Sequence, residues 1–210
     1  MYVGRIVAVG RSQGGANAAL YRVSSRSFPN RQAVDLSGRL AIIPREGHEG
    51  DVHENPYIAY NCLRVAGDWA VVSNGSHTDP IAEKIESGIP VRDALVGTLL
   101  ALDYEKDDYS TPRIAGVVPV AGDSAWLGVV RPDALVVKSV PLEAGRALWI
   151  ATYEGDDVRA DQTCDFDARD AAAAARAIVD GPGFAALEKP VTSAAALVSG
   201  PRFELATHIV

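Results

Sequence analysis

The sequence predicts a single layered α+β domain, built from two largely antiparallel sheets with helices on their outer faces. The length of 210 residues is that of one ordinary domain, and no linker or internal repeat divides it. Strand-like segments fill the first third of the chain and return after Pro112, whereas two helix-like segments lie together in the middle. Because helices do not alternate with strands, a doubly wound parallel sheet is disfavoured and the layered arrangement is favoured.

The strands of the first third are predicted to form hairpins. Residues 2–9 are apolar and β-branched, and a glycine-rich turn at residues 10–15 follows, so residues 18–25 are expected to pair back on them. Gly67 and Asp68 supply the turn of a second hairpin. Strands are also expected at residues 40–44, 59–65, 69–73, 114–120, 125–130, 134–140 and 147–153.

Four helices are predicted from caps, periodicity and composition. Asp79 as the cap and Pro80 at the first position predict a helix that ends before Gly88. Apolar residues at i, i+3 and i+4 spacing predict a second helix over residues 91–104. The alanine-rich run predicts a third and a shorter fourth helix, at residues 165–179 and 192–198.

The composition indicates a globular chain without the charge pattern of a general nucleic-acid binder. Hydrophobic residues make up 48% of the sequence and charged residues 22%, which excludes wholesale disorder. The net charge of −7 comes without a long Lys/Arg block, which disfavours nucleic acid or an anionic membrane as a partner.

The sequence also contains no pattern that is typical of a membrane span, a signal peptide or a metal site. No apolar run approaches the roughly 18 residues that span a bilayer, and the N-terminus lacks the basic start of a signal peptide. Cys62 and Cys164 fit no metal-ligand spacing and are expected to be reduced thiols, so a cytoplasmic location is predicted. His48 and His53 stand five apart with no third His near them, which favours a solvated loop over a metal site.

An arginine- and serine-rich segment at residues 21–31 is the densest polar stretch of the sequence. Arginine forks match phosphate oxygens bidentately, and serine hydroxyls and turn amides add donors, so the segment is a candidate anion site. Strand alternation would place Arg22, Ser24 and Arg26 on one face. An arginine-rich surface strand is the alternative, and composition alone leaves both open.

Two further segments carry side chains that suit nucleotide recognition. Residues 55–61 combine Asn and Tyr, which can stack on and hydrogen-bond to a planar heterocycle, although the pattern alone favours a turn followed by core tyrosines. Asn74 and Gly75 form a turn before a helix start, where backbone amides suit an anion or a carbonyl oxygen. A plain turn with a helix cap is the alternative there.

An acidic segment at residues 103–108 lies at the C-terminal end of the second predicted helix, where the helix dipole disfavours negative charge. Such a local conflict is expected at functional sites, although a solvated helix end also produces it. Glu105, flanked by Tyr104 and Lys106, forms a candidate proton-transfer cluster.

Together these segments resemble the archaeal-type IMP cyclohydrolase family. The resemblance covers nearly the whole chain in order, and residues 154–170 are the stretch without a match. The motifs that carry it are Met1-Tyr-x-Gly-Arg-Ile-x-Ala-Val-Gly-Arg11, Tyr21-Arg-Val-Ser-Ser-Arg-Ser-Phe-Pro-Asn-Arg31, Glu46-Gly-His-Glu49, Asn55-Pro-Tyr-Ile-Ala-Tyr-Asn61, Val72-Ser-Asn-Gly-Ser-His-Thr-Asp79, Asp103-Tyr-Glu-Lys-Asp107, Thr111-Pro-Arg-Ile-Ala115 and Pro190-Val-Thr-x-Ala-Ala195.

The resemblance implies an enzyme that closes 5-formamidoimidazole-4-carboxamide ribonucleotide to inosine 5′-monophosphate with loss of water, the last step of purine synthesis. It implies one domain over residues 1–210, a four-layer αββα sandwich similar to N-terminal nucleophile hydrolases, and a homo-oligomer. It implies no cofactor and no metal, and a small-molecule nucleotide as the ligand. The N-terminal nucleophile itself is not expected, because removal of Met1 would expose Tyr2 rather than Ser, Thr or Cys.

The resemblance also suggests roles for individual residues. Glu105 is assigned as the acid/base group, and Tyr60 as an orienting donor or a second acid/base. Arg31, with Asn74 nearby, would stabilise the oxyanion and hold the carboxamide. The candidates for the ribose phosphate are Ser24, Arg26 and Arg113. The other candidate substrate contacts are Asn30, Asn61, Gly75, Asp103, Tyr104 and Lys106.

Three choices stay open at this point. Arg26 and Arg31 could exchange the phosphate and oxyanion roles. The chain could also be a related nucleotide hydrolase, which a substrate panel would distinguish, because the cyclohydrolase needs a formamido group beside a carboxamide. A non-catalytic purine-nucleotide-binding module is the third reading, and it would bind inosine monophosphate without turnover.

Overall fold

The architecture consists of thirteen β-strands and four α-helices, and the computed structural model describes residues 1–210. The strands are β1 (Ile6–Arg11), β2 (Asn17–Ser24), β3 (Arg31–Asp35), β4 (Arg39–Pro44), β5 (Tyr60–Ala66), β6 (Trp69–Ser73), β7 (Arg113–Pro119), β8 (Ser124–Arg131), β9 (Ala134–Pro141), β10 (Arg146–Ala151), β11 (Thr163–Asp165), β12 (Pro190–Ser199) and β13 (Arg202–Ile209). The helices are α1 (Asp51–Glu54), α2 (Thr78–Glu86), α3 (Val91–Leu102) and α4 (Ala171–Asp180). None of these helices is long and apolar enough to cross a bilayer.

The first sheet has six strands in the order β11-β10-β1-β2-β12-β13, and every neighbouring pair is antiparallel. Its β1–β2 hairpin confirms the one predicted at the N-terminus, with Ile6 opposite Arg22 and Gly10 opposite Ala18. The connecting turn includes Gly15 at φ 88°, a conformation that glycine adopts without steric cost.

The second sheet has seven strands in the order β3-β4-β5-β6-β7-β8-β9, again antiparallel throughout. Gly67 turns the β5–β6 hairpin at φ 58°, as the sequence predicts. Helices α2 and α3 form the connection between β6 and β7, so they cover one face of this sheet.

The two sheets pack face to face, and helices cover their outer faces. Strand alternation on β2 sends Tyr21 and Val23 into the core between the sheets, whereas Leu20 faces the core under α4. A third core joins α2 and α3 to the outer face of the second sheet through Ile81 and Leu95. The predicted α+β class with two antiparallel sheets is therefore confirmed, while the similarity to N-terminal nucleophile hydrolases and the single-domain reading stay predictions.

The prediction of a helix at residues 192–198 is wrong, because this segment lies inside β12 between β2 and β13. Three consecutive alanines, Ala194 to Ala196, favour a helix locally. In the fold they are completely buried on both faces of the sheet, one under α4 and two between the sheets. Tertiary packing selects the strand there, because small side chains let both layers approach.

Two predicted helix starts are also displaced. Helix α2 begins at Thr78 with His77 before it, and Asp79 accepts hydrogen bonds from Asn61 and Arg64 instead of capping the helix. Helix α4 begins at Ala171, where the Asp170 carboxylate accepts from the Ala173 amide. The elements that the sequence analysis did not predict are β3, β11, β13 and α1.

Candidate active site

A cavity of about 380 Å³ opens at the end of the sandwich where the first strands of both sheets meet. The segment before β1, the turn between β2 and β3 and the loop after α3 converge there. Aromatic rings and cations dominate its wall. The lining residues are Tyr2, Arg5, Ser25, Arg26, Ser27, Phe28, Arg31, Asn55, Tyr57, Ile58, Asp107, Tyr109, Tyr153 and Glu154.

Arg31 is the most buried cation on the cavity wall, with 1% of the residue exposed. Its Nε donates to the Phe28 carbonyl at 3.0 Å across the Pro29 turn, which fixes the side chain at the start of β3. Its Nη1 has no hydrogen-bond partner in the protein. Burial lowers the pKa of Arg31, so this guanidinium lacks the solvation that a surface arginine has.

Glu105 lies beneath this wall between two guanidinium groups. The loop that carries it is closed by the Glu105 amide, which donates to the Thr111 carbonyl, and by Asp107, which accepts from the Thr111 amide and hydroxyl. Arg5 Nη2 donates to Glu105 Oε2 at 2.8 Å, and Arg113 Nη1 lies 3.8 Å from Oε1. The carboxyl is 1% exposed.

The pKa values of both Glu105 and Arg5 are raised in this cluster. Burial raises the pKa of Glu105 despite the two nearby cations. For Arg5, burial is the largest single effect and disfavours the charge, but the Glu105 carboxylate and the nearby tyrosines together outweigh it, so the pKa of Arg5 is raised. Arg5 therefore stays charged, and Glu105 becomes a weaker acid than a solvated carboxyl group.

Tyr21 and Tyr60 form a hydroxyl pair between the two sheets, with 2.5 Å between their Oη atoms. Both rings belong to the core between the sheets, so burial raises the pKa of each. The charges of Arg31 and Arg5 act in the opposite direction on Tyr60 and favour its ionised form. Tyr60 is accordingly the member of the pair that loses a proton more readily.

The turn between β6 and α2 forms the remaining side of the cluster. Asn74 Nδ2 donates to the Pro112 carbonyl, and Asn74 Oδ1 accepts from the Ile114 backbone amide. These two bonds hold the turn against the start of β7. His77 Nε2 donates to the Ile114 carbonyl at 3.0 Å. Burial, and then the Arg113 charge, lower the pKa of His77 to about 3, so its ring is neutral at ordinary pH.

Buried polar atoms without a hydrogen-bond partner are concentrated in this one region. Buried polar groups in native proteins are normally paired, so an unpaired cluster marks a place where a ligand or water completes the bonding. The atoms in the cluster are Arg5 Nε, Arg31 Nη1, His77 Nδ1, Glu105 Oε1, Arg113 Nε and Arg113 Nη1. The one such atom elsewhere is Thr98 Oγ1 on α3.

The structure brings several of the sequence-predicted site residues together. Arg26 and Arg31 line the cavity. Glu105 and Arg113 form the charged cluster beneath it, and Gly75 lies beside them with no side chain between. Tyr60, buried near the charges of Arg5 and Arg31, and Asn74, bonded to the start of β7, complete the set.

Other predicted residues have local partners away from the cavity. Ser24 Oγ accepts from Arg22, whose guanidinium donates to the carbonyls of Phe184 and Leu187 beyond α4. Asn61 donates to Asp79, and Asn30 contacts His48. Asp103, Tyr104 and Lys106 form a separate surface cluster, in which Lys106 pairs with Asp103 and lies 3.3 Å above the Tyr104 ring.

Sequence reasoning missed several residues that the structure places at the site, among them Arg5, Tyr21, His77 and Tyr153. Arg5, Tyr21 and His77 lie inside matched motifs, but nothing in the spacing shows that they meet Glu105 or Tyr60. Tyr153 comes from the end of β10 and stacks on Tyr2 with ring centroids 5.8 Å apart. Only the register of β1 with β2 and β10 would have predicted these contacts.

The site and the fold together define a class of protein. A buried carboxylate between guanidinium groups, beside a cavity of ligand size, is the arrangement of an enzyme that transfers protons on a small molecule. Residues 2–201 match the family described as IMP cyclohydrolase-like protein. The chain belongs to this family, which confirms the resemblance seen in the motifs.

Curated relatives are similar in sequence to this chain over most or all of their length. An IMP cyclohydrolase of Methanococcus maripaludis strain C6 is 46% identical over 208 residues, which cover 99% of this chain and 100% of the relative. The IMP cyclohydrolase of Natronomonas pharaonis is 47% identical over 98% of this chain and 97% of its own. That of Halobacterium salinarum strain R1 is 52% identical over 84% of this chain and 83% of its own.

Proposed function

We propose that the protein is an IMP cyclohydrolase, which closes 5-formamidoimidazole-4-carboxamide ribonucleotide to inosine 5′-monophosphate and releases water. The observation that carries this is the end-to-end similarity to proteins named IMP cyclohydrolase, at 46% identity over 99% of the chain. The unpaired polar atoms around Glu105 and Arg31 support a reaction at this place.

The reaction needs proton transfer and charge stabilisation. The carboxamide nitrogen attacks the formyl carbon and forms the new C–N bond, while the C=O electron pair moves onto oxygen. The carboxamide nitrogen loses one proton and the formamido nitrogen loses another, and the oxygen gains two protons in all. The C–O bond breaks to release one water as the ring C=N bond forms. An amide nitrogen is a weak nucleophile, so a base at nitrogen and donors at oxygen must lower the barrier.

Glu105 is the proposed proton acceptor and donor. Its raised pKa brings the carboxyl nearer to neutral pH, where one group both accepts and donates a proton efficiently. Arg5 holds Oε2 by a 2.8 Å hydrogen bond, and Oε1 has no hydrogen-bond partner. One oxygen therefore fixes the orientation of the carboxyl, and the other is available for proton transfer.

Arg31 and Tyr60 are proposed to stabilise the oxygen on which charge develops. Arg31 Nη1 is a buried donor without a partner on a residue that lines the cavity. The Arg31 charge lowers the pKa of Tyr60 against the effect of burial, so the two groups are electrostatically coupled. Donors held in a low-dielectric site stabilise an oxyanion more strongly than donors in water.

Arg26 is proposed to bind the ribose phosphate together with Ser25 and Ser27, which also line the cavity. Its guanidinium lies 4.1 Å above the Tyr2 ring and pairs with Glu188 at 3.3 Å. Both partners of that pair are about half exposed, so a phosphate displaces Glu188 at little cost. Arg113 is 6% exposed and faces Glu105, which favours Arg26 for this role.

The proposal also includes a fold similar to that of N-terminal nucleophile hydrolases, a homo-oligomeric state and a cytoplasmic location. Two face-to-face sheets with helices outside support the four-layer sandwich of N-terminal nucleophile hydrolases, with Tyr2 in place of the nucleophile. The homo-oligomer and the cytoplasmic location follow from the family resemblance. Size-exclusion chromatography with light scattering tests the oligomer directly.

The function is tested by adding the formamido ribonucleotide to EDTA-treated protein and following absorbance as inosine monophosphate forms. Conversion is the expected result. Binding of inosine monophosphate without any conversion would assign the chain to the non-catalytic module. Turnover of a nucleotide that lacks the formamido group, with none of the proposed substrate, would assign it to a related hydrolase.

A further inference from the structure

Three buried polar atoms without a hydrogen-bond partner converge beside Gly75, where the backbone carries no side chain. Arg113 Nη1, His77 Nδ1 and Glu105 Oε1 lie 3.0, 3.3 and 3.4 Å from the point that a Cβ on Gly75 would occupy. Their residues are 6%, 0% and 1% exposed. We call this space, bounded by Gly75 and the three atoms, the Gly75 recess.

The hydrogen-bonding character of Arg113 Nη1 and His77 Nδ1 is fixed, and that of Glu105 Oε1 depends on the protonation of the carboxyl. Arg113 Nη1 only donates. His77 Nε2 must carry its proton, because its partner is the Ile114 carbonyl, and the neutral ring therefore leaves Nδ1 as an acceptor. Glu105 Oε1 is an acceptor when the carboxyl is ionised, since Arg5 pairs with the other oxygen. The recess thus presents one donor and two acceptors.

Only some chemical groups complement this set. A carbonyl oxygen accepts from Arg113 but gives nothing to His77 or Glu105. An amide NH₂ donates twice but does not accept from Arg113, and a cation is repelled by the guanidinium. A water molecule has two hydrogens for the two acceptors and a lone pair for the donor, so it satisfies all three atoms at once.

We propose that the Gly75 recess binds one water molecule, and that this is the place where the cyclisation releases its water. The second part rests on the proposed function. After the ring closes, the former formyl oxygen is a hydroxyl group, which takes a proton from the Glu105 carboxyl and leaves as water with the electron pair of the C–O bond. The formamido nitrogen supplies the electron pair of the new C=N bond and releases its proton to the solvent. Arg113 and His77 then hold that water beside the carboxylate.

The recess explains why position 75 has no side chain. A methyl group at Gly75 would approach Arg113 Nη1 to 3.0 Å and fill the space between the polar atoms. In Gly75→Ala, we expect the water to be displaced and kcat to fall by about 10²-fold, as misplacement by about 1 Å does elsewhere. The wild-type rate in a folded Gly75→Ala protein would contradict the proposal.

His77 offers a pair of substitutions that separates water binding from folding. In His77→Gln the side-chain amide reaches the Ile114 carbonyl as Nε2 does, but no acceptor remains at the Nδ1 position. In His77→Asn the side-chain oxygen takes the Nδ1 position, but the bond to Ile114 is lost. The matched control is Thr98→Val, which removes the unpaired buried hydroxyl on α3, away from the site.

The experiment combines crystal structures of these proteins, with and without inosine monophosphate, with steady-state kinetics and thermal unfolding. We expect water density within hydrogen-bond distance of all three atoms in wild type and Thr98→Val, and none in His77→Gln. We expect His77→Gln to be the more stable His77 variant and yet to lose about 10²-fold in kcat, with His77→Asn less stable but more active. A kcat that follows stability instead would show a purely structural histidine.

These experiments distinguish a failure of the proposed water site from a failure of the proposed cyclohydrolase function. Water in the recess of a protein that converts no substrate would keep the binding site and remove its role in the reaction. Full turnover by wild type with no water at the three atoms would overturn the inference and leave the cyclohydrolase intact.

Discussion

Glu105 has two carboxyl oxygens in different surroundings, one bound to Arg5 and one without a hydrogen bond. Glu105→Gln keeps the size of the side chain and an acceptor for Arg5 but removes the proposed acid/base group. We therefore expect kcat to fall by about 10²–10⁴-fold, with the Kd of inosine monophosphate nearly unchanged. Steady-state kinetics measure kcat, and titration calorimetry measures the Kd of inosine monophosphate.

The control for this substitution is Glu83→Gln, which breaks a surface ion pair with Arg64 far from the cavity. Exposed pairs contribute little, so this variant should keep both the rate and the affinity of wild type. A Glu105→Gln protein with a near-normal rate would show that another group transfers the proton.

Tyr21 lies behind Tyr60 and is joined to it at 2.5 Å, so its effect on the reaction is indirect. Donation from Tyr21 favours the ionised form of Tyr60, and its loss in Tyr21→Phe should raise the pKa of Tyr60. We expect the alkaline limb of the pH–rate profile to move to higher pH and kcat to drop, because Tyr60 is no longer oriented. An unchanged profile would restrict Tyr21 to packing.

The contact between the two sheets depends on Gly116 of β7. A Cβ there would lie 3.0 Å from Cγ1 of both Val7 and Val9 on β1 and 3.1 Å from Val72. Gly116→Val therefore overpacks the core between the sheets, and we expect it to lower the free energy of unfolding by about 1–3 kcal/mol. Urea denaturation of the variant measures this change.

Gly97 on the exposed face of α3 gives the matched comparison. Nothing lies within 4 Å of a Cβ at this position, and alanine is the better helix former. Gly97→Ala should raise the free energy of unfolding by about 0.5–1 kcal/mol. If both glycine substitutions raised the free energy of unfolding, local propensity rather than packing between the sheets would control stability at these positions.

Elements were predictable where local pattern and tertiary environment agree. The β5–β6 hairpin has a Gly turn and apolar strands, and both the pattern and the fold place it there. The segment at residues 192–198 has the local preference of a helix, yet as part of β12 it lies in the first sheet between β2 and the edge strand β13. Its strand state depends on pairing with β2, which is distant in sequence, and on the hairpin with β13, a strand that the sequence analysis also did not predict.

The same limit applies to the site when the whole molecule is considered. The resemblance of the motifs led to the prediction that Glu105, Arg31 and Tyr60 act together, and each of them stands in a distinctive polar segment. Arg5 was missed as the partner of Glu105, since 100 residues separate them and only the packing of both sheets brings them together. His77 was missed because a histidine between a turn and a helix has no distinctive local pattern.

His77 also makes the stability of the whole molecule depend on pH. Above pH 6.5 its ring is neutral in both the folded and the unfolded chain, so it has no effect. As the pH falls from 6.5 towards the folded pKa of about 3, the unfolded chain takes up a proton that the folded chain does not. The free energy of unfolding should therefore fall with pH over this window, by up to about 1.4 kcal/mol per pH unit.

The contribution of His77 is isolated by comparing wild type with His77→Gln, which does not titrate. Burial raises the pKa of Glu105, and this acts in the opposite direction, but it is common to both proteins and cancels in the difference. We expect the stability advantage of wild type over His77→Gln to shrink steadily as urea denaturation is repeated from pH 6.5 down to pH 4. A constant difference would mean that His77 accepts a proton in the folded protein, and Nδ1 would then be a donor that no longer complements a water in the Gly75 recess.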